Sequence, residues 1–241
     1  HLELLFLDGQ SFRSAKATAA CGGDLAPALP RSSRDTLAAF APSLRNSVPP
    51  GCPSALGDPS RTILGARQYA AFTRAIEGST ATWKVVVTDT PLQQHYVNPY
   101  DRWEGFAAER VRLLRSLAKV ENVVFLTTDT HANLINRVRY RTLGGSVRST
   151  AMWEAVTGPA ATGTFAGTLD RFFGAGGATR VSAVFLKPQP PAGLGMTCAA
   201  LDSLSYAEVT VTATTLTVAP RDARGRPVRE ATGRACAPLL L

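Results

Sequence analysis

Residues 122–131 read Asn-Val-Val-Phe-Leu-Thr-Thr-Asp-Thr-His, a short apolar run that ends in two side chains capable of binding a metal. The run at 123–126 is made of β-branched, aromatic and aliphatic residues, which predicts a strand buried on both faces. Asp129 and His131 follow directly, where the chain leaves the sheet. Ligands of open α/β sheets bind outside the carboxyl ends of the parallel strands. The stretch therefore predicts an α/β fold with a site at one edge of its sheet.

A second segment, 83–91, has the same pattern of an apolar strand followed by an acidic residue, here Asp89, before Pro91 ends the strand. Between the two strands, apolar residues in the stretch 101–117 recur at helical spacing. Strand, helix and strand in this order predict a βαβ unit with parallel strands and a right-handed crossover. We therefore expect Asp89 and Asp129 to project from the same edge of the sheet.

Polar residues near the start of this helix have the spacing of a capping box. Asp101 is placed to cap the helix and Glu104 lies three residues later. We accordingly expect Glu104 and Glu109 to lie at the helix cap and on the surface.

Flanking segments extend this α/β (α+β) pattern. The apolar run 2–7, which ends in Asp8, predicts another buried strand, and a helix is predicted to begin at Gly65. Near the other end, the segments 206–211 and 216–218 alternate apolar and polar residues, which predicts an antiparallel hairpin.

Composition narrows the class of protein. The chain has 241 residues, of which 45% are hydrophobic and 18% charged, as expected of one folded domain. Its net charge of +8 favours anionic partners, but 22 of its 26 basic residues are Arg, a usage also typical of a GC-rich genome. The Arg residues are scattered without a nucleic-acid reader motif. No apolar run approaches the roughly 20 residues of a transmembrane segment.

Four cysteines form two local pairs, Cys21 with Cys52 and Cys198 with Cys236, and none lies in a C-x-x-C motif. Disulfides within these pairs would place the protein in an oxidising, extracytoplasmic compartment. The alternative is four buried free thiols in the cytosol. The first pair brackets a Pro-rich and Ser-rich stretch, and we interpret residues 14–62 as a long loop insertion.

The Asp-x-His pattern at 129–131 offers one carboxylate and one imidazole, ligands that suit a divalent or trivalent metal ion. The alternative is an Asp that caps a turn beside a hydrogen-bonded surface His. Additional pocket candidates are Asp8, Asp89 and Arg13, whose guanidinium suits a phosphate oxyanion, whereas His95 is expected to be a loop residue. Each also has an ordinary structural interpretation as a turn, strand-end or solvated residue.

Residues 125–133, Phe-Leu-Thr-Thr-Asp-Thr-His-Ala-Asn, resemble the last metal-binding motif of the alkaline phosphatase D (PhoD-like) family of the calcineurin-like metallophosphatase superfamily. Further stretches resemble the family in the same order along the chain: 7–14, 64–68, 81–85, 101–110, 154–159 and 205–209. Gln10 departs from the family pattern, which has Arg at that position, and Thr128 replaces the more usual Gly.

The resemblance implies a β-sandwich flanked by helices and a di- or multinuclear metal centre, often described with iron and calcium. It implies that Asp129 and His131 are metal ligands, and Asn133, at the end of the same stretch, is a further pocket candidate. The family's other ligands precede the segment that matches residues 7–14. We therefore expect residues 1–241 to be the C-terminal portion of one catalytic domain whose N-terminal part is missing.

The predicted function is hydrolysis of phosphate monoesters or diesters outside the cytoplasm by attack of a metal-bound hydroxide. An alternative enzyme is a phospholipase D-type phosphodiesterase. An alternative of another class is a catalytically incomplete secreted fragment or module that binds anions. The chain has no Gly-x-Ser-x-Gly elbow, phosphate-binding Walker loop or dinucleotide fingerprint. The sequence leaves the substrate and the oligomeric state open.

Overall fold

Two sheets organise the computed structural model, which describes residues 1–143 and 145–241. The strands are β1 (Leu2–Leu7), β2 (Trp83–Thr88), β3 (Val123–Thr127), β4 (Asn133–Arg141), β5 (Val147–Val156), β6 (Cys198–Ala200), β7 (Ser205–Val211), β8 (Leu216–Asp222) and β9 (Leu239–Leu240). The α-helices are α1 (Arg31–Leu37), α2 (Gly51–Leu56), α3 (Gly65–Gly78), α4 (Ala107–Leu117), α5 (Phe165–Phe173) and α6 (Gly177–Val181).

The larger sheet has the order β1-β2-β3-β5-β4-β6, and β1, β2, β3 and β5 are parallel neighbours. The predicted βαβ unit is confirmed, because α4 connects the parallel strands β2 and β3. Its register pairs Thr88 with Thr127, so the carboxyl ends of these two strands lie side by side. Strand β4 runs antiparallel to both β5 and β6 and therefore begins at this same edge.

Each face of the larger sheet is covered by a different layer. On one face, α3 and α4 pack on the strands, with Phe72 and Leu114 buried among strand residues such as Val86. On the other face lies the three-stranded sheet β7-β8-β9, where Val218 packs with Val85. The hairpin β7–β8 is antiparallel as predicted. The α/β prediction of stacked sheets with flanking helices is thus confirmed.

The first strand differs from its prediction as a buried strand. Strand β1 is at the edge of the sheet and only Leu7 is buried. Leu2, Leu4 and Phe6 share the face that carries the small sheet elsewhere, and they remain 44%, 46% and 70% exposed. A continuous apolar run predicts burial on both faces only when both faces are covered, and nothing among the described residues covers this one.

We expect Leu4→Thr combined with Phe6→Thr to change the free energy of unfolding by less than about 0.5 kcal/mol, since neither side chain is buried. Threonine keeps a high preference for strands. The same change should raise the protein concentration at which aggregation begins, because it removes an exposed apolar patch at a sheet edge. Urea unfolding and light scattering measure the two effects.

The control is Leu7→Thr on the same strand, whose side chain points into the core and is 8% exposed. This change should cost about 1 to 3 kcal/mol. Equal stability losses in the two variants would show that the face of β1 is buried in solution.

The Pro-rich stretch 14–62, which the sequence predicts to be a long loop insertion, contains α1, α2 and a 3₁₀ turn at Pro42–Arg45. Arg34 holds it together by an ion pair with Asp24 at 2.6 Å and by donating to the backbone oxygens of Ala26 and Asn46 at 2.8 and 3.0 Å. Both predicted disulfides are present, Cys21–Cys52 and Cys198–Cys236, and the alternative of four free thiols is wrong.

Three glutamates are buried on the helical face of the sheet, and each accepts hydrogen bonds from two consecutive backbone N–H groups. Glu109 accepts from Ile63 and Leu64 at 2.9 and 3.3 Å. Glu154 accepts from Leu92 and Gln93, and Glu104 from His95 and Tyr96, at distances of 2.6 to 3.1 Å.

The predicted capping box at Asp101 and Glu104 is therefore wrong, and so are the expected cap and surface positions of Glu104 and Glu109. Both carboxylates are 3% exposed and stabilise connecting segments, and α4 begins only at Ala107 after a 3₁₀ turn. A capping-box spacing identifies a helix start only when the backbone there is helical.

Burial raises the pKa of Glu154 from 4.5 to about 7, against the opposing effects of its two N–H donors and of Arg110. The folded protein then binds more protons than the unfolded chain between about pH 4.5 and about pH 7. The contribution of Glu154 to stability is therefore greatest at low pH. We expect the free energy of unfolding to fall by on the order of 3 kcal/mol as pH rises through this window.

Glu154→Gln removes this titration, so the difference in unfolding free energy between the natural protein and the variant should change between about pH 5 and about pH 7.5. Urea unfolding at the two pH values measures it. A pH-independent difference would show that Glu154 has the same pKa in the folded and unfolded states.

Candidate metal centre

The carboxyl edge of the larger sheet collects the acidic residues that the sequence singled out. Asp8, Asp89 and Asp129 follow the neighbouring strands β1, β2 and β3. The hydroxyl of Thr128 donates to the backbone oxygen of Asp89 at 3.1 Å and ties the two strand ends together. The expectation that Asp89 and Asp129 share one edge is confirmed, while their chemical roles stay predictions.

Asp129 and His131 both adopt left-handed backbone conformations, with φ of 63° and 58°. Such conformations are uncommon for residues other than glycine, and they cluster at functional sites when the surrounding structure imposes them. Two hydrogen bonds fix the turn: the N–H of Thr130 donates to Thr128 O and the N–H of Phe165 donates to His131 O, both at 2.8 Å. The turn therefore fixes the directions in which both side chains leave the sheet edge.

The imidazole of His131 is oriented by a second residue. Its Nδ1 lies 2.7 Å from the backbone oxygen of Gly163. A carbonyl oxygen only accepts, so this hydrogen bond requires the proton to be on Nδ1, which leaves the lone pair on Nε2. Histidines that bind metals usually donate their other ring N–H to a carbonyl or carboxylate in this way.

The carboxylate of Asp129 lies in a partly desolvated and acidic environment. Burial raises its pKa, and the negative charges of Asp101 and Asp89 raise it further, against the opposing effects of Arg102 and His131. A cation beside Asp129 would offset this repulsion between carboxylates. The electrostatics and the donor types at 129–131 therefore fit part of a cation site.

Arg102 is the residue of this region that the sequence did not single out. It is 6% exposed and lines the same hollow as Asp129 and His131. Its guanidinium donates to the backbone oxygens of Val97 and Asn98, the latter at 2.9 Å, and lies 3.5 Å from Glu104. These contacts hold a fixed positive charge near Asp129. The sequence contains 22 scattered Arg residues, and only the position of Arg102 in the stretch 101–110 distinguishes it from the others.

Gln10, Asp8 and Asp89 form a linked group at the ends of β1 and β2. The side-chain amide of Gln10 donates to the carboxylate of Asp89. Asp8 accepts from the backbone N–H groups of Gln10 and Ser11 at 2.9 and 3.0 Å, and hydrogen bonds with Ser11 lower its pKa. The structure thus gives Asp8 a turn-forming role, and Gln10 bridges it to Asp89.

The remaining candidates lie at different depths. Arg13 donates to the backbone oxygen of Asp101 at 2.8 Å, which brings it to the rim of the site. Asn133 is fully buried, with its side-chain oxygen accepting from Ser205 at 2.8 Å. His95 lies in a loop, as expected, but it is buried there, and neither ring nitrogen has a partner among the described residues. Burial, with Arg102 and Arg110 nearby, keeps its pKa well below 6.5.

Two hollows flank Asp129 and His131. One contains the charged residues Asp101 and Arg102 together with Asn98 and Phe165. The other is bordered by the segment 157–162 and by β7. Across residues 1–143 and 145–241, no three His, Cys, Asp or Glu side chains are close enough to hold a metal ion by themselves. Metal binding by Asp129 and His131 therefore stays a prediction.

Comparison with solved structures supports the fold. The chain is similar over 100% of its length to a solved chain described as "Structure of PhoD", with a TM-score of 0.55 and 17% sequence identity. The chain therefore shares the fold of that solved chain, and it spans 38% of that chain's length.

The family follows from the sequence match. Residues 1–218 match the family described as PhoD-like phosphatase, and the chain belongs to this family of phosphoesterases. No curated protein sequence matches the chain significantly. Within residues 1–143 and 145–241, no helix has the length and apolar content needed to cross a bilayer.

Proposed function

We propose that this chain forms part of the catalytic domain of a metal-dependent phosphoesterase that hydrolyses phosphate monoesters or diesters. The observation that carries the proposal is the pair at the end of β3. Asp129 lies among further acidic residues, and His131 is oriented by Gly163 so that Nε2 is free to bind a cation. Membership of the PhoD-like phosphatase family supports the reaction class.

In this proposal Asp129 and His131 hold one part of a di- or multinuclear centre, with iron and calcium as candidate ions. Such ions, when bound, polarise a phosphoryl oxygen and lower the pKa of a coordinated water. Residues outside the described chain would complete the ligand set, because two donors are fewer than iron or calcium requires.

The protein's own contribution is to position and neutralise the phosphate ester. Arg102 supplies a buried positive charge beside Asp129 that favours an anionic substrate in the hollow. Arg13 at the rim, held by Asp101, is placed to contact a phosphate oxygen. The bridge between Gln10 and Asp89 fixes the neighbouring strand ends, so the edge keeps its shape when substrate enters.

The two disulfides support a location outside the cytoplasm, since such bonds persist in oxidising compartments. We therefore propose a secreted or otherwise extracytoplasmic protein that acts on phosphate esters there.

The decisive experiment compares a monoester and a diester, 4-nitrophenyl phosphate and bis(4-nitrophenyl) phosphate, with the full-length protein before and after chelation. We expect hydrolysis that chelators abolish and that the added metal restores. Faster diester cleavage would identify a phosphodiesterase, including the phospholipase D-type alternative. Hydrolysis that persists without metal would contradict the proposal.

A second candidate is an anion-binding module without catalysis, favoured by the net charge of +8 and by the incomplete ligand set. If the full-length protein retains phosphate ions but hydrolyses neither ester with any metal supplied, this alternative replaces the first.

A further inference from the structure

A cavity of about 250 Å³ lies at the opposite end of β4 from the candidate metal centre. Strand β4 begins at Asn133, beside the carboxyl end of β3, and Arg139 and Arg141 lie near its other end. The walls come from this end of β4, from Tyr96 of the loop after β2, and from the segment that follows α6, including Phe185. None of the predicted site residues lines this cavity.

Two tyrosines line this cavity. Tyr96 and Tyr140 are only 7% and 5% exposed. Neither hydroxyl makes a hydrogen bond with another described residue, and neither is fully closed off from solvent, so each can take a water or a ligand as its partner. Burial raises the pKa of Tyr96 to about 12, so its hydroxyl remains a donor at neutral pH.

The charge of the lining is positive and uncompensated. Arg139 donates one hydrogen bond, at 3.1 Å, to the backbone oxygen of Leu194, and a guanidinium has five N–H donors. Arg141 forms no ion pair with any described residue, and no Asp or Glu lines the cavity. The lining therefore carries two guanidinium groups and no carboxylate, and its neutral polar side chains include those of Ser32, Ser33 and Gln93.

The other walls are apolar and planar. The ring of Phe185 meets that of Tyr96 edge to face, with centroids 6.2 Å apart. Pro190 and Pro191 close the adjoining side. These walls suit a flat apolar group, while the two guanidinium groups suit a compact anion attached to it.

We propose that this cavity is a second binding site, separate from the candidate metal centre, for a small organic anion with a planar ring and one carboxylate or phosphoryl group. Arg139 and Arg141 bind the anionic group, the hydroxyl of Tyr96 donates to it, and Phe185 with the prolines contacts the ring. The inference does not rest on phosphatase activity.

Calorimetric titrations with benzoate, phenylphosphonate and neutral benzamide test the proposal, in chelator so that no metal-bound site competes. We expect both anions to bind and benzamide to bind at least tenfold more weakly, because a charge-assisted hydrogen bond contributes more than a neutral one. Binding of only one anion identifies the preferred group. Binding of neither anion, or equal binding of benzamide, would overturn the proposal.

Variants locate the site. Arg141→Met should weaken binding of the anion about tenfold or more, and Tyr96→Phe should weaken it several-fold, whereas Arg141→Lys should retain part of the affinity. Arg234→Met removes the same charge at an exposed position outside the cavity and should leave the affinity unchanged. Each variant is first matched to the natural protein in thermal unfolding, so that a disturbed strand is not mistaken for lost binding. Equal anion affinity in correctly folded Arg141→Met and Tyr96→Phe proteins would contradict the assignment.

Discussion

His131→Ala in the full-length protein should remove bound metal and lower the rate of phosphate-ester hydrolysis by about three orders of magnitude or more, since a catalytic metal supplies several kcal/mol of transition-state stabilisation. The physical reason is local. The bond from Nδ1 to Gly163 fixes the ring, so Nε2 is the atom left for the ion. Elemental analysis of the purified protein and a steady-state assay measure the two effects independently.

The matched control is His1→Ala, which removes an exposed imidazole far along the chain from the site. It should leave both metal content and rate unchanged. If His131→Ala retains stoichiometric metal and full activity while remaining folded, His131 is not a ligand, and the hydrogen bond to Gly163 has only a structural role.

Glu109→Ala should lower the free energy of unfolding by about 2 to 4 kcal/mol, because it leaves two buried N–H groups without an acceptor. Glu109 is 3% exposed and its carboxylate accepts from Ile63 and Leu64, immediately before α3. Without it, the segment that leads from the Pro-rich stretch into α3 loses both of these hydrogen bonds. Urea unfolding measures the change.

Two further variants separate this effect from a general loss of charge or helix propensity. Glu77→Ala changes an exposed glutamate of α3 and should alter the unfolding free energy by less than about 0.5 kcal/mol. Glu109→Gln keeps one acceptor oxygen and should cost roughly half as much as Glu109→Ala. A Glu109→Ala protein as stable as Glu77→Ala would mean that water satisfies the two N–H groups.

The sequence predicted the parts of the fold in which neighbours along the chain decide the structure. The apolar runs of β2 and β3, the helix between them and the acids that follow each strand were enough to place Asp89 and Asp129 at one edge. The hairpin β7–β8 was also predicted from alternation alone. These features depend on local periodicity, which one sequence displays directly.

What could not be predicted depends on contacts between distant segments. Among the described residues, the end of strand β4 has no neighbouring strand on its outer side, and side chains from a distant loop take that place. The backbone N–H groups of Arg139 and Arg141 donate to the side-chain oxygens of Gln93 and Gln94 at 2.7 Å. Arg102 near Asp129 and the burial of Glu109 likewise follow from tertiary placement. The exposure of β1 was mispredicted because an apolar run does not reveal whether both its faces are covered.

Three buried glutamates each accept hydrogen bonds from two successive backbone N–H groups, and this limits where loop lengths can change among related chains. Connecting loops normally tolerate inserted residues, but an insertion between Leu92 and Gln93, or between His95 and Tyr96, would move one member of a pair out of reach of its carboxylate. Replacing one of these glutamates by the shorter Asp would likewise move its carboxylate out of reach of the two N–H groups. Length changes in related chains should therefore avoid these dipeptides and fall instead in exposed turns such as the one around Gly225.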